Sequence, residues 1–338
     1  MKAMLLDKTA PIESKPLRFA FIDNPTIISR EEVLVRVKAC GVCRSNLHMI
    51  EGDWLSRGFP AKLPIIPGHE IVGIVDSIGK DVNGIEIGDR VGIQPLYHAC
   101  GTCDYCLSGR ENICKRKLIT GQSVDGGYAE YIKAPYLFVY KVPDRLSDTE
   151  ATPLFCPGVT AYKAVKYSSA SPSKTIAIFG IGGVGQVALQ IAKLWGAKVI
   201  AVSRSKNHLE IASKLGAYSV ISPDEEDVVK YFKSINYADS SIVFAPSDKA
   251  IDQAVKVVKT GGTIVLGVSG SIKEFLFHEE KIIKGIVIGT RQDMHEVLKI
   301  AEDGGIHIKV ESHRLEEANE ILRKLKYSEI ESRAVLQP

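Results

Sequence analysis

The sequence predicts an α/β protein with two parts, a β-rich N-terminal lobe and a doubly wound parallel domain. Residues 1–145 contain many short β-type runs broken by Gly and Pro, such as EEVLVRVKA at 31–39 and HEIVGIVDSIG at 69–79. Frequent turns with few helical periods are typical of an irregular, barrel-like lobe. From about residue 174, short apolar runs alternate with amphipathic segments, as strand–helix–strand units of a parallel sheet require.

Size and composition are those of a soluble two-domain protein. The 338 residues suffice for two cores, and 45% hydrophobic with 25% charged residues is ordinary usage. The net charge of +3 is small and dispersed, so no nucleic-acid or membrane partner is expected. The chain contains no apolar run of about 18 residues and no long apolar signal core. We therefore expect a cytoplasmic protein.

The remaining elements follow the same two patterns. The lobe continues through DRVGI (89–93) and YAEYIKA (128–134), and Ser147 with Glu150 predicts a capping box at the start of a helix. The first helix of the second part carries Val187, Ile191, Leu194 and Trp195 on one stripe and ends near Gly196. The other predicted segments are the strands TIAIFG, KVIAVS, SIVFA and GTIVLG, the helices HLEIASKLGA, MHEVLKIAED and LEEANEILRKL, and the short strand RAVLQ.

Four closely spaced cysteines predict a structural metal site. They form a C-x2-C-x2-C-x7-C run comprising Cys100, Cys103, Cys106 and Cys114. Four thiolates satisfy the tetrahedral preference of Zn²⁺ and leave no open position, so such a site holds a lobe in shape without binding substrate. The alternative is a pair of disulfides or four buried thiols. Nothing else in the sequence indicates the oxidising compartment that disulfides need.

A glycine-rich turn predicts a dinucleotide site. Gly180, Gly182 and Gly185 form G-x-G-x-x-G, with Gly183 and Val184 between them, directly after a predicted strand and before a helix. In that context the motif allows a tight turn and close backbone approach to a pyrophosphate at a helix N-terminus. A glycine turn with a purely structural role is the alternative.

The end of the following strand favours NADP over NAD. An NAD site places Asp or Glu there to bind the ribose hydroxyls, whereas this chain has Ser203, Arg204, Ser205 and Lys206. A carboxylate would repel a 2′-phosphate, while a small hydroxyl and a guanidinium would bind it. Arg204 as an ordinary solvated surface charge is the alternative.

Two of the three remaining cysteines suggest a second metal site. Cys43 and His69 belong to the β-rich lobe, and Cys156 lies at the junction before the α/β domain. Together they would make a Cys₂His zinc site with one position left for water or substrate. Each alone is more often a buried core residue than a ligand, but their occurrence with a cysteine loop and a nucleotide turn favours the metal site.

The chain resembles the zinc-containing alcohol dehydrogenases of the medium-chain dehydrogenase/reductase family. The resemblance runs over nearly the whole length, through GVCRSNLH, LPIIPGHEIVGIV, the cysteine loop, DGGYAEY, LFCPGVTAY and GIGGVGQVALQIAKLWGAKVIAV. It implies a GroES-like catalytic domain at 1–150, completed by 288–338, and a Rossmann NADP-binding domain at 151–287. It also implies a homo-oligomer, a homodimer or homotetramer.

The resemblance assigns roles position by position. It implies that Cys43, His69 and Cys156 bind a catalytic zinc, that Glu70 is a carboxylate able to approach it, and that the cysteine quartet binds the second zinc. Ser45 and His48 match a proton relay that runs from the bound alcohol through a cofactor ribose hydroxyl. The remaining matches are cofactor-phosphate contacts for Arg44 and Arg333, a place beside the nicotinamide for Thr160, and a substrate-pocket wall for Trp54.

Asn46 is a departure from the family pattern. The family usually has Asp at this position, where the carboxylate accepts a hydrogen bond from the zinc-binding histidine, here His69, and orients it. Asn can accept through its carbonyl but carries no charge. We expect a more weakly held zinc or an altered pKa of its bound water.

The expected reaction is reversible hydride transfer between a primary or secondary alcohol and NADP⁺, with a small-molecule alcohol, aldehyde or ketone as substrate. A polyol or sugar dehydrogenase of the same family is the nearer alternative, although those enzymes tend to carry a carboxylate near the position of Cys156. A non-enzymatic zinc-binding protein is the more distant alternative, and it predicts a basic patch and an incomplete second site.

Overall fold

A computed structural model describes residues 1–330 and 333–338. The chain forms two compact units. The first consists of Met1–Cys156, Thr290–Glu302 and Ile308–Pro338, and the second of Pro157–Gly289 and Asp303–His307. No helix in the described ranges is long and apolar enough to cross a membrane.

The first unit is built mainly from β-strands. Its strands in the N-terminal part are β1 (Lys2–Leu6), β2 (Leu17–Phe21), β3 (Glu32–Gly41), β4 (Ile71–Ile78), β5 (Arg90–Ile93), β6 (Leu96–His98), β7 (Leu118–Ile119), β8 (Tyr131–Pro135) and β9 (Val139–Lys141). Its helices there are short, α1 (Arg44–Glu51), α2 (Asp104–Leu107) and α3 (Asp148–Ala151).

The second unit alternates strands and helices. After α4 (Pro157–Tyr167) come β10 (Thr175–Phe179), α5 (Gly183–Leu194), β11 (Lys198–Val202), α6 (Lys206–Lys214), β12 (Ser219–Ile221), α7 (Val228–Ser234), β13 (Ala238–Val243), α8 (Asp248–Lys256), β14 (Val258–Leu266) and β15 (Ile282–Gly285). The strand order β12-β11-β10-β13-β14-β15, with every pairing parallel, is that of a Rossmann sheet. The predicted doubly wound parallel domain is confirmed.

The C-terminal segment supplies the last elements of the first unit. They are α9 (Arg291–Glu302), β16 (Val310–Arg314), α10 (Ala318–Lys326) and β17 (Arg333–Gln337). The main sheet has the order β16-β17-β3-β4-β5-β9, with β8 also paired to β3. Because Leu336 pairs with Cys40 on β3, the end of the chain lies in the same sheet as the strand that leads to Cys43.

The boundary between the units lies six residues beyond the predicted one at 150/151. Residues 152–155 form a 3₁₀ turn whose Phe155 is fully buried, and a Cβ added at Gly92 of β5 would collide with the Phe155 ring. This close packing keeps the segment with the β-rich unit. Residues 303–307 belong instead to the second unit, because Gln190 exchanges two hydrogen bonds, of 2.8 and 3.0 Å, with the backbone of His307.

Two local predictions are wrong and one is confirmed. Leu194 is 53% exposed, whereas Trp195, the residue that follows α5, is half-buried and packs edge-on against Tyr162. The strand predicted from residue 128 begins at Tyr131, since the backbone of Tyr128 bonds to Pro67 and Met4 instead. The capping box of Ser147 and Glu150 is present at the start of α3.

Candidate metal centres and nucleotide-binding turn

The four clustered cysteines converge at one point of the first unit. Four of their Sγ–Sγ distances are 3.5–3.8 Å, namely those of the pairs 100–106, 103–106, 103–114 and 100–114. A tetrahedron with Zn–S bonds of about 2.3 Å has edges of about 3.8 Å. The thiols are free, and these separations are far longer than a disulfide bond. The donor set and its spacing therefore fit a four-sulfur zinc site.

Backbone N–H groups prepare this loop for thiolates. Hydrogen bonds from the N–H groups of Thr102 and Cys103 outweigh burial and lower the pKa of Cys100 to about 5. Burial, together with hydrogen bonds among the neighbouring sulfurs, raises the pKa of Cys106 to about 12. The Cys100 sulfur thus becomes a thiolate readily. Thiolates are the form of cysteine that binds a metal cation.

Cys43, His69 and Cys156 also come together, from three separate segments. Cys43 is the N-cap residue of α1, His69 lies just before β4, and Cys156 follows the 3₁₀ turn at the end of the first stretch of the unit. The Sγ atoms of Cys43 and Cys156 are 3.8 Å apart, the edge of a zinc tetrahedron. With Glu70, their ligand atoms all lie within 4.8 Å of one another. The structure thus brings together the predicted second set of ligands.

Ser45 borders this centre. Its Oγ lies 3.1 Å from Cys43 Sγ and 3.2 Å from His69 Nε2. Its place in the first turn of α1, two residues after Cys43, determines this position. A hydroxyl here can exchange a hydrogen bond with a molecule that binds beside Cys43 and His69.

Asn46 contacts the other ring nitrogen of His69. Asn46 Nδ2 lies 3.3 Å from His69 Nδ1, and Asn46 Oδ1 is buried without a hydrogen-bond partner in the described chain. An imidazole that binds zinc through Nε2 carries its proton on Nδ1 and must donate it. Turning the amide by 180° would give that proton an acceptor and the orphaned oxygen a partner. The buried oxygen therefore fits a metal on Nε2.

Glu70 and Arg333 form a buried ion pair behind the ligands. Arg333 Nη2 donates to both carboxylate oxygens of Glu70, at 2.6 and 2.7 Å, and Glu70 is completely buried. Burial raises the pKa of Glu70 to about 7, although the Arg333 guanidinium opposes this. The pair joins positions 263 residues apart, and no sequence pattern indicated it. The cofactor-phosphate role expected for Arg333 stays a prediction, since its Nη2 is bound to Glu70.

His48 lies four residues after Arg44 on α1 and is partly exposed. Its Nδ1 is 2.7 Å from Asp53 Oδ2, and its ring stacks on Trp54, with centroids 5.6 Å apart and planes inclined by 26°. Arg44 Nη2 donates to the carbonyl oxygens of Leu325 and Lys326. Asp53 was not among the predicted site residues. Its position in the sequence Gly52-Asp53-Trp54, directly before the predicted pocket residue Trp54, is the signal that could have indicated it.

The glycine turn has the geometry that a pyrophosphate site needs. Gly180 has φ +92°, and a Cβ there would lie 2.6 Å from the backbone nitrogen of Ala245. A Cβ at Gly185 would collide with the carbonyl oxygen of Gly180, so this glycine permits close packing of α5 on β10. A Cβ at Gly182 would meet no described atom within 4 Å. Gly182 therefore leaves space beside the N-terminus of α5, where Gly183 and Val184 lie.

The segment after β11 presents a basic side chain. Ser203 is buried and its Oγ accepts from the Ser205 N–H, while Ser205 caps α6. Arg204 is exposed, and no ion pair involving it is found in the described chain. Lys206 is bound to Glu225 at 3.1 Å, both largely exposed. Thr160 lies on α4 in the second unit, half-buried.

Comparison with known proteins identifies the same two regions. Residues 29–144 match the alcohol dehydrogenase GroES-like domain, and residues 183–303 match the zinc-binding dehydrogenase domain. An alcohol dehydrogenase from Geobacillus stearothermophilus is 43% identical, with 98% of this chain and 99% of that protein covered. The alcohol dehydrogenase of the hyperthermophilic archaeon Aeropyrum pernix has a similar structure (31% identity, all of both chains, TM-score 0.90). So has an NAD-dependent alcohol dehydrogenase (28% identity, all of both chains, TM-score 0.91).

Proposed function

Since the chain belongs to the zinc-containing alcohol dehydrogenases of the medium-chain dehydrogenase/reductase family, we propose that it catalyses alcohol oxidation and the reverse reduction. The reaction we propose interconverts a primary or secondary alcohol and its aldehyde or ketone, with NADP(H) as the cofactor. The observation that carries the proposal is the convergence of Cys43, His69 and Cys156. Three ligands leave one tetrahedral position for the substrate oxygen. We assign a catalytic zinc to this set and a structural zinc to the cysteine quartet.

Zinc bound there would act as a Lewis acid that makes the hydroxyl of the alcohol more acidic, and the nicotinamide would accept the hydride. The chain's own residues handle the proton. Ser45 Oγ, which borders Cys43 and His69, accepts the hydrogen bond of the alcohol hydroxyl. His48, partly exposed on the same helix, receives the proton at Nε2 and releases it to solvent. Positioned proton transfer of this kind is worth on the order of 10²–10⁴ in rate.

The ion pair of Glu70 and Arg333 behind the ligands keeps the centre electrically balanced. Arg333 pairs with Glu70 where the carboxylate is completely buried and the Arg333 side chain is only 12% exposed. Removing one partner of such a buried pair leaves an uncompensated charge. We infer that Glu70 acts as a charge held close to the metal and that Arg333 fixes its position.

NADP specificity is proposed from the segment after β11. Family membership alone does not choose, because one structural relative is NAD-dependent. Arg204 is exposed and beside a serine hydroxyl, with no carboxylate among Ser203, Arg204 and Ser205 to repel a 2′-phosphate. Lys206 can add to this site, since its bond to Glu225 is an exposed ion pair of about 0–1 kcal/mol.

The test compares NADP⁺ and NAD⁺ over a panel of primary alcohols, secondary alcohols and polyols. We expect higher kcat/KM with NADP⁺, and Arg204→Gln should reduce it on the order of tenfold with NADP⁺ while leaving NAD⁺ kinetics unchanged, because one charge-assisted hydrogen bond is lost. Lys214→Gln, an exposed charge at the end of α6, is the matched control. A wild-type preference for NAD⁺ would refute the cofactor assignment, and turnover confined to polyols would refute the substrate assignment.

We also propose a cytoplasmic homo-oligomer, a homodimer or homotetramer. Seven free cysteines suit a reducing compartment. β15 is an edge strand of its sheet. Phe277, which precedes it, and Ile282, its first residue, are 86% and 54% exposed. Large exposed apolar side chains at a sheet edge favour association. Light scattering at several concentrations would measure the oligomeric state, and a monomer would contradict the proposal.

A further inference from the structure

A carboxylate outside the expected relay contacts His48. Asp53 Oδ2 lies 2.7 Å from His48 Nδ1, within the range of a charge-assisted hydrogen bond. The neighbouring ring nitrogen, Nε2, has no described hydrogen-bond partner. The two ring nitrogens are therefore in different environments, with one facing an anion and the other available to exchange a proton.

The backbone holds Asp53 in this place. Helix α1 ends at Glu51 and is capped by Gly52, whose φ of +88° turns the chain. Asp53 N then donates to the carbonyl oxygen of His48 at 2.9 Å. Only glycine adopts this left-handed conformation easily. The turn thus brings Asp53 back beside His48, so the backbone holds the two side chains close together.

The ring itself is also restrained. Trp54, the next residue, stacks on the His48 ring at 5.6 Å, and the Arg57 guanidinium lies 5.7 Å from the centroid of the Trp54 ring. An aromatic contact on one face and a hydrogen bond at one edge together oppose rotation of the imidazole. The residues that shape the turn therefore also orient His48.

We propose that Asp53 is a positioning residue for proton transfer, holding His48 as the tautomer with its proton on Nδ1, so that Nε2 is the acceptor. The inference rests on the proposed role of His48. The proton released by the alcohol bonds to Nε2, the imidazole becomes an imidazolium whose Nδ1–H remains bonded to Asp53, and Nε2–H then gives its proton to water or a buffer base. Neutral imidazole is restored, and no other bond changes.

The competing explanation is a surface ion pair without a catalytic consequence. The side chains of His48 and Asp53 are 40% and 54% exposed, and such pairs contribute about 0–1 kcal/mol to stability. Loss of stability would therefore not distinguish the two explanations. The tautomer of the free enzyme and the response of kcat to added base do distinguish them.

The experiment uses the full-length protein labelled with ¹⁵N-histidine. The signal that disappears in His48→Gln assigns His48 among the eight histidines. We expect a protonated Nδ1 and an unprotonated Nε2 in the wild type, and a mixed or reversed tautomer in Asp53→Ala. The variant should lose on the order of tenfold in kcat, part of the general acid–base contribution, with KM unchanged. Added imidazole buffer should restore part of that loss.

The matched control is Asp7→Asn, an exposed carboxylate bonded to Arg18 in the same unit. It should change neither the tautomer, nor kcat, nor the buffer response. A wild-type His48 protonated on Nε2, or an Asp53→Ala variant with wild-type tautomer or wild-type kcat, overturns the inference. Failure of the proposed function looks different, since the wild type would then oxidise no alcohol, or His48→Gln would leave kcat unchanged.

Discussion

The two cysteine clusters use nearly the same sulfur spacing in contrasting surroundings. The quartet lies within residues 100–114, with Sγ–Sγ distances of 3.5–3.8 Å on a partly exposed loop. Cys43 and Cys156, also 3.8 Å apart, come from segments separated by 113 residues and lie beside a buried ion pair. The spacing of the sulfurs therefore suits zinc in both places, and the neighbours must determine the difference in function.

The two centres differ in the ligands that accompany the first two sulfurs. The quartet offers a fourth thiol, which closes the coordination sphere. The other centre offers one imidazole and then Glu70, whose oxygens are both bonded to Arg333. A carboxylate engaged in this way leaves a coordination position for substrate. A hydroxyl borders each centre, since Thr102 Oγ1 lies 3.8 Å from Cys100 Sγ and Ser45 Oγ lies 3.1 Å from Cys43 Sγ. The assignment of proton transfer to the open centre therefore depends on the turn that carries His48 and Asp53.

The largest expected effect comes from removing a ligand of the open centre. Cys156→Ser should reduce kcat on the order of 10³-fold or more, because Lewis-acid stabilisation worth several kcal/mol is lost. Zinc per chain should fall from two to one, measured by elemental analysis. The free energy of unfolding should change much less than kcat does.

Cys40→Ala is the control, since Cys40 is a buried thiol that belongs to neither cluster. It should retain two zinc ions per chain. If Cys156→Ser kept both ions and its activity, the assignment of the open centre would be wrong.

The second-largest expected effect is a loss of stability when the cysteine quartet is broken. Cys103→Ser breaks the closed site, and we expect the free energy of unfolding to fall by about 2–4 kcal/mol, as losses of metal sites are among the larger single-residue effects. The free energy of unfolding is measured by denaturant titration, and the zinc content of the same sample is measured alongside it. The kcat of the folded fraction that retains its catalytic zinc should stay close to that of the wild type. A variant with unchanged stability and abolished turnover would reverse the assigned roles.

The same comparison explains what could be predicted from sequence. The quartet lies within residues 100–114 and the glycine motif within residues 180–185, so their spacing alone indicates them, although Gly180 also fits closely against Ala245. Cys43, His69 and Cys156 lie far apart, so no spacing groups them. The accompanying cysteine loop and nucleotide turn favoured a shared site, and the family resemblance then implied their roles. The resemblance placed Glu70 near the metal, but its bond to Arg333 depends on β17 entering the sheet beside β3, which no local pattern encodes.

Errors in the predicted elements have similar causes. Helical periodicity placed Leu194 inside, but tertiary packing gave that place to Trp195. The boundary at 150/151 followed the capping box correctly to a helix start, yet Phe155 still packs on Gly92 of the first unit. Periodicity and capping residues indicate the secondary structure that a segment prefers by itself. The burial of Leu194 and the place of Phe155 are determined instead by tertiary packing.

The smallest expected effect concerns the contact between Asn46 and His69. Asn46 Oδ1 is buried without a described partner, and Asn46 Nδ2 faces His69 Nδ1. A zinc-bound His69 needs an acceptor there, which the amide can supply only after turning, and without charge. Asn46→Asp should therefore hold the catalytic zinc more tightly, with release to a chelator slowed on the order of tenfold, the lower end of what partners of metal-binding histidines contribute.

The quartet in the same molecule is the internal control for this measurement. Zinc release followed with a colorimetric chelator should show two phases, and only the phase that accompanies loss of activity should slow in Asn46→Asp. Asn46→Ala, which removes the hydrogen-bonding group altogether, should accelerate that same phase. Equal changes in both phases would indicate an altered fold, and no change in either would mean that His69 is oriented without help from position 46. Because release is observed directly, the outcome does not depend on which alcohol the enzyme oxidises.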